Sequence, residues 1–145
     1  MKRNVYGALT ILAVALMISV TMSQAQSSRV RADVPFAFSS EQTSMPAGNY
    51  EISYADDKVL SVRNLDTGKA SLLIASMHVE TSQASATPGA KLVFHKYGDQ
   101  YFLSEIWGGQ SHIGVALSES KREKELKMAS TNLSNGPETV IIAMK

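Results

Sequence analysis

Apolar residues on alternate positions restrict this chain more than any other feature. Val30, Ala32, Val34, Phe36 and Phe38 alternate with Arg29, Arg31 and Asp33 in the first such run. A period of two sends successive side chains to opposite faces of an extended strand, so one face can be buried while the other meets water. Tyr50, Ile52 and Tyr54 repeat the pattern, and Met45-Pro-Ala-Gly48, Asp56-Asp-Lys58 and Asp66-Thr-Gly68 separate the runs as turns. In such turns proline fixes φ, glycine admits a positive one and aspartate bonds its own backbone. Strands are expected over 30–38, 50–54, 59–65, 70–80, 91–97, 100–107 and 139–144. Pro35 has no amide to donate, so the first strand lies at an edge or changes direction there.

Ser71-Leu-Leu-Ile-Ala75 is apolar on both faces, which fits a central strand or a partly helical stretch, and the flanking turns favour a strand. Segments 91–97 and 100–107 flank Gly98-Asp99, a Gly-first pair suited to a two-residue hairpin turn. That loop sets Phe94 opposite Leu103, Leu92 opposite Glu105 and Lys96 opposite Tyr101. On the other face it sets His95 opposite Phe102, Val93 opposite Ser104 and Tyr97 opposite Gln100. A slip of one residue would exchange the faces. The polar stretches 39–44 and 81–89 read as loops, as does Gly108-Gly-Gln-Ser-His112.

The one good helix is expected at about 118–129. Ser120-Lys-Arg-Glu123 has capping-box spacing, Glu123 and Lys127 stand one turn apart, and a thin apolar stripe of Leu126 and Ala129 suits a surface position. The fold class is therefore all-β: a small single-domain barrel or sandwich of about seven antiparallel strands with one late surface helix. The last strand is expected to return to an early one, because a lone exposed edge invites aggregation.

Residues 1–25 read as a cleavable signal peptide. Lys2 and Arg3 form a positive start, Val5 to Val20 is uncharged and apolar, and Ser23 and Ala25 are small residues before a cut at Gln26. The run falls short of the about 20 apolar residues of a spanning helix and holds Thr10 and Ser19, so no membrane span is expected after cleavage. Residues 26–145 then form one exported domain, periplasmic or extracellular. The chain has no cysteine, so lipidation, disulfides and thiolate metal sites are excluded and the core must hold by packing alone. Without Lys2 and Arg3 there remain 12 basic and 13 acidic residues, a nearly neutral surface that offers no steering field for nucleic acid or anionic lipid.

Motifs for chemistry are missing. His78, His95 and His112 are spaced 17 apart with no close His pair, so no metal site is expected. No Gly-x-Ser-x-Gly elbow, phosphate-binding glycine loop or paired catalytic carboxylates occur, so neither catalytic residues nor a cofactor are expected, and the chain is not read as an enzyme. The basic residues Lys121, Arg122, Lys124 and Lys127 are interleaved with Glu119, Glu123 and Glu125, as on a solvated, salt-bridged face. Asn132-Leu-Ser134 matches a glycosylation sequon. The candidate ligand-binding residues are Tyr97, Tyr101 and Trp107, with His95. Alternation puts Tyr101 and Trp107 on one face beside a glycine loop, where flat rings can stack on sugars or extended peptides. The competing use of the same rings is to fill the core.

Three segments carry a family resemblance: Asp33-Val-Pro-Phe-Ala-Phe38, Met45-Pro-Ala-Gly-Asn-Tyr50 and Leu92-Val-Phe-His-Lys-Tyr-Gly-Asp-Gln-Tyr-Phe-Leu103. With 118–126 downstream, they resemble a family of small, functionally uncharacterised exported β-domain proteins of soil bacteria. The resemblance implies export and a shared β domain, and it supplies no activity, ligand or site residue. The expected function is that of a non-catalytic exported or envelope-associated binding module for a glycan or peptide. The alternatives are a structural protein that assembles through exposed strand edges, and an enzyme without a recognisable motif.

Overall fold

The computed structural model describes residues 29–56, 58–79, 89–108, 114–131 and 136–145. The signal peptide, the loop at 81–88, His112 and the sequon at Asn132 lie outside the described residues. Among the described residues, ten strands and one helix follow in order: β1 (Arg29–Val34), β2 (Phe38–Ser40), β3 (Thr43–Met45), β4 (Gly48–Asp56), β5 (Val59–Asn64), β6 (Ala70–Val79), β7 (Lys91–Tyr97), β8 (Gln100–Trp107), β9 (Gly114–Leu117), α1 (Lys121–Thr131) and β10 (Glu138–Ala143). The mostly-β expectation with one late helix holds. Three strands exceed the expected seven. The polar stretch read as a loop forms the short hairpin of β2 and β3, and β9 follows the glycine loop.

By pairing, the strands of four residues or more run β1-β4-β5-β6-β9-β8-β7-β10. The ends of this path share no ladder. Arg31 and Lys145, the second residue past β10, instead exchange N–H···O bonds of 2.9 and 2.8 Å. The sheet is therefore not the closed barrel that was one of the two expected forms. It is mixed rather than purely antiparallel, because β2 runs parallel to β8 at Ser39 and Phe102. The last strand also differs from expectation: β10 pairs along its whole length with β7, and it meets the early strand β1 through the Arg31–Lys145 hydrogen bonds just past its end rather than through a ladder.

One face of the sheet carries the core. Val34, Tyr50, Ile52, Leu60, Val62, Leu73, Leu92, Phe94, Leu103 and Ile106 are buried together there. Pro35 ends β1 as its missing amide requires, and Phe36 turns inward against Phe94 at 5.2 Å between centroids.

The expected hairpin register holds from Tyr97↔Gln100 to Phe94↔Leu103 and then shifts by one residue, giving Val93↔Glu105, Leu92↔Ile106 and Lys91↔Trp107. The extra residue is Ser104, whose hydroxyl donates to the Val93 carbonyl at 3.1 Å. The physical reason for the bulge lies in the next residue. Unbroken alternation from Leu103 would turn the Glu105 carboxylate into the core, at a cost no partner there offsets. With the bulge, Leu103 and Ile106 both face inward and Glu105 faces outward.

The segment Met45-Pro-Ala-Gly-Asn-Tyr50 is a packed joint. Tyr50 is fully buried and its hydroxyl donates to the Pro46 carbonyl. Asn49 receives the β5–β6 turn: its N–H donates to Asp66 Oδ2 at 2.9 Å and its carbonyl accepts from Leu65 at 2.8 Å. Gly48 has a φ of 149°, and a Cβ there would lie 2.6 Å from Asp66 Oδ2 and 3.1 Å from Asn64 Nδ2. Gly48→Ala is expected to lower stability by about 2 kcal/mol in urea denaturation, since it combines backbone strain with displacement of Asp66. A loss under about 0.5 kcal/mol would show that the joint yields freely.

Candidate functional site

The four candidate residues divide among three environments. His95 and Tyr97 lie on the outer face of β7 under α1, where the Tyr97 ring meets Phe102 edge-on at 6.0 Å. Tyr101 is on the opposite, core face and stacks on Phe36 with centroids 3.9 Å apart. Trp107 is on the outer face at the far end of the hairpin, 2% exposed, packed with Val93 and Val79. Its Nε1 donates to Glu105 Oε2 at 2.8 Å and Lys91 Nζ stands 5.0 Å from the ring centre. Tyr101 and Trp107 therefore do not share a face, because the Ser104 bulge lies between them. Their rings fill packing positions, the competing use.

What the structure does assemble beneath α1 is an acid–imidazole contact. Ser120 caps the helix, its hydroxyl accepting the Glu123 N–H at 3.1 Å, so the helix begins at Lys121 rather than 118. The other half of the expected capping box is absent. Glu123 turns its buried carboxylate to His95, with Nδ1 and Oε1 2.9 Å apart. Lys127, expected to pair with Glu123, pairs with Glu119 instead. The Tyr97 hydroxyl lies buried nearby with no hydrogen-bond partner; burial first, then the Glu123 carboxylate, holds its pKa above the usual tyrosine value.

Sequence reasoning missed Glu123 as an anchor, although its capping spacing had marked it as a helix-start residue. His95→Ala should cost about 2 kcal/mol, because it strands a buried carboxylate. Hydrogen exchange should then accelerate in 121–131 before it does in β7. Uniform acceleration would show that the contact does not anchor the helix.

A groove of about 530 Å³ runs beside this contact, with Leu126, Ala129 and the Tyr97 ring among its walls and the Lys96–Glu138 ion pair (2.8 Å) at its rim. The Tyr97 hydroxyl is shut off from solvent, so the tyrosine offers the groove no polar atom. Among the described residues, no three His, Cys, Asp or Glu side chains are grouped to hold a metal.

A second recess lies across the sheet, between two strand edges. Among the described residues, β3 pairs only with β2, and residues 70–74 of β6 pair only with β5. The recess between them, about 200 Å³, is bounded by Thr43–Met45 on one side and by Ala70 and Ser71 on the other, with Tyr50 and Asn64 also lining it. Asn64 is 1% exposed. Its Oδ1 accepts the N–H groups of Asp66 and Thr67 at 2.9 and 2.8 Å, and its side-chain amide lies against the Tyr50 hydroxyl. The β2–β3 turn reaches β6 at one point: Glu41, with a φ of 51°, accepts the Ile74 N–H at a long 3.4 Å.

The outer face of β6 beside this recess is apolar. Leu72, Ile74 and Met77 are 66%, 61% and 63% exposed. Outward positions on the neighbouring strands are mostly polar, with Arg63 and Ser61 on β5 and Glu51 and Ser53 on β4, and Glu51 bridges to Arg29 and Arg31 at 3.9 and 3.6 Å. Comparison with known proteins finds no match to any family model, curated protein or solved structure.

Proposed function

We propose that this chain is an exported, non-catalytic binding module that holds a peptide or protein partner against the outer face of β6. The observation that carries the reading is the stripe of Leu72, Ile74 and Met77, each more than three-fifths exposed. Large apolar side chains held in water side by side mark interaction surfaces. Burying one completely is worth about 1.5–3 kcal/mol before the costs of association. The first 25 residues support export through their charge, length and small-residue exit. The commitment of Tyr101 and Trp107 to packing favours a peptide or protein over a glycan, which would need open ring faces.

Peptide and glycan arrays probed with the wild type and with a Leu72→Ser/Ile74→Ser variant test this reading. Peptide signals are expected with the wild type, falling roughly tenfold or more in the variant, with no glycan signal. Equal peptide signals from both proteins, or binding confined to glycans, would refute it. Export has its own check: the secreted protein should begin at Gln26, and an N-terminus at Met1 would remove that part of the proposal.

A further inference from the structure

We infer that the partner enters as an extended strand, adding to β6 within the recess between β3 and residues 70–74. The inference rests on the outer-face reading above and states how the partner is gripped.

β6 is ten residues long, but its two neighbours share it by halves. β5 pairs with Ala70–Ile74 and β9 with the stretch from Ala75 to Val79, on opposite edges. The β9-side edge of residues 70–74 is therefore without a strand partner among the described residues. The Ile74 N–H donates toward Glu41, away from β5, whereas the next amide, Ala75, donates to the Lys58 carbonyl beside β5. Main-chain groups alternate direction along a strand. The N–H and C=O of Leu72 and Ala70 thus point the same way as Ile74, into the recess.

The opposite wall is the outer edge of β3, which among the described residues is likewise unpaired with any strand. Two facing edges with open space between them present donors and acceptors to main chain, the basis of strand addition. One polar group already points to such an occupant. Glu41 stands where an incoming carbonyl would accept from Ile74, held there in a left-handed conformation that a non-glycine residue rarely adopts.

The side-chain preference follows from the same geometry. A strand laid along 70–74 turns alternate residues outward, beside Leu72 and Ile74, and the others inward to the small recess. The partner is an extended segment alternating apolar residues with small ones.

An acetylated, amidated hexapeptide alternating valine and serine is the probe, compared with the same peptide N-methylated at alternate amides. The unmethylated peptide should slow hydrogen exchange at the Leu72 amide and shift the Ile74 amide resonance. Each of the two possible methylated forms should bind at least tenfold more weakly than the parent, since one set of amides faces β6 and the other faces β3. Glu41→Ala should tighten binding several-fold by removing the competing acceptor. Binding of either methylated form as tight as that of the parent, unchanged exchange at Leu72, or no binding of the unmethylated peptide at millimolar concentration would overturn strand addition. The two readings fail separately. Binding that needs Leu72 and Ile74 side chains without protecting the Leu72 amide leaves the outer face standing and removes insertion. Amide protection that survives Leu72→Ser/Ile74→Ser does the reverse.

Discussion

Gly114→Ala is expected to lower the unfolding free energy by about 3 kcal/mol, a large effect for one added methyl. Gly114 opposes Trp107 in the β8–β9 ladder, and the indole lies flat over the glycine. A Cβ at position 114 would sit 2.5 Å from Trp107 Cε2 and 2.6 Å from Cδ2, well inside van der Waals contact. The ring has little room to retreat. It is packed with Val93 and Val79, and its Nε1 is held by Glu105. Either the indole surrenders those contacts or β9 bends away from β8. Urea denaturation measures the cost, and a double-mutant cycle assigns its origin. In a Trp107→Ala background the same substitution should cost less than about 1 kcal/mol, because the obstruction has gone. An equal cost in both backgrounds would place the strain in the backbone and sink the ring-on-glycine explanation.

That pair also shows where sequence reading stops. Strands, turns and the helix are written in local terms: alternation, Pro35, the positive-φ glycine of Gly98-Asp99 (60°) and the Ser120 cap. Ser104 was not legible as a bulge, because the choice depends on which face of β8 is buried and hence on strands far away in sequence. The error then spread from that residue. It set Tyr101 and Trp107 on one face, and so assembled an aromatic site that the fold divides between core and outer surface. The hairpin of β2 and β3 was hidden for another reason. Its strands are three residues each, too short to show a period, and they rest on pairing with each other and with β8.

The residues behind the proposed function were in plain view but ambiguous. Leu72, Leu73 and Ile74 are all apolar, and no local rule says which face of β6 another element will cover. Only topology answers: among the described residues it sends α1 over β7 and leaves Leu72, Ile74 and Met77 of β6 exposed on the outer side. Glu123 was misread similarly. Its i,i+4 neighbour Lys127 offered a local partner, and a strand 28 residues earlier supplied the real one through His95.

Phe94→Ala should have the largest effect of any single substitution here, about 4–5 kcal/mol, enough to leave a domain of ordinary stability partly unfolded at 25 °C. Phe94 is fully buried at the centre of the sheet's inner face. Phe36 meets its ring edge-on at 5.2 Å, and so does Phe38, also at 5.2 Å. Phe38 in turn meets Tyr50 at 5.3 Å, while Phe36 stacks on Tyr101. The three segments that stand out in the sequence, 33–38, 45–50 and 92–103, thus meet in one aromatic cluster, and Phe94 is the ring that both phenylalanines of the first segment touch. Truncating it removes an aromatic transfer term, opens a cavity and breaks two edge contacts worth about 0.5–1.5 kcal/mol each. Phe94→Leu keeps most of the volume and should lose roughly half as much. Thermal and urea unfolding of both variants give the comparison. Alanine and leucine variants of equal stability would mean that the cluster repacks without its central ring.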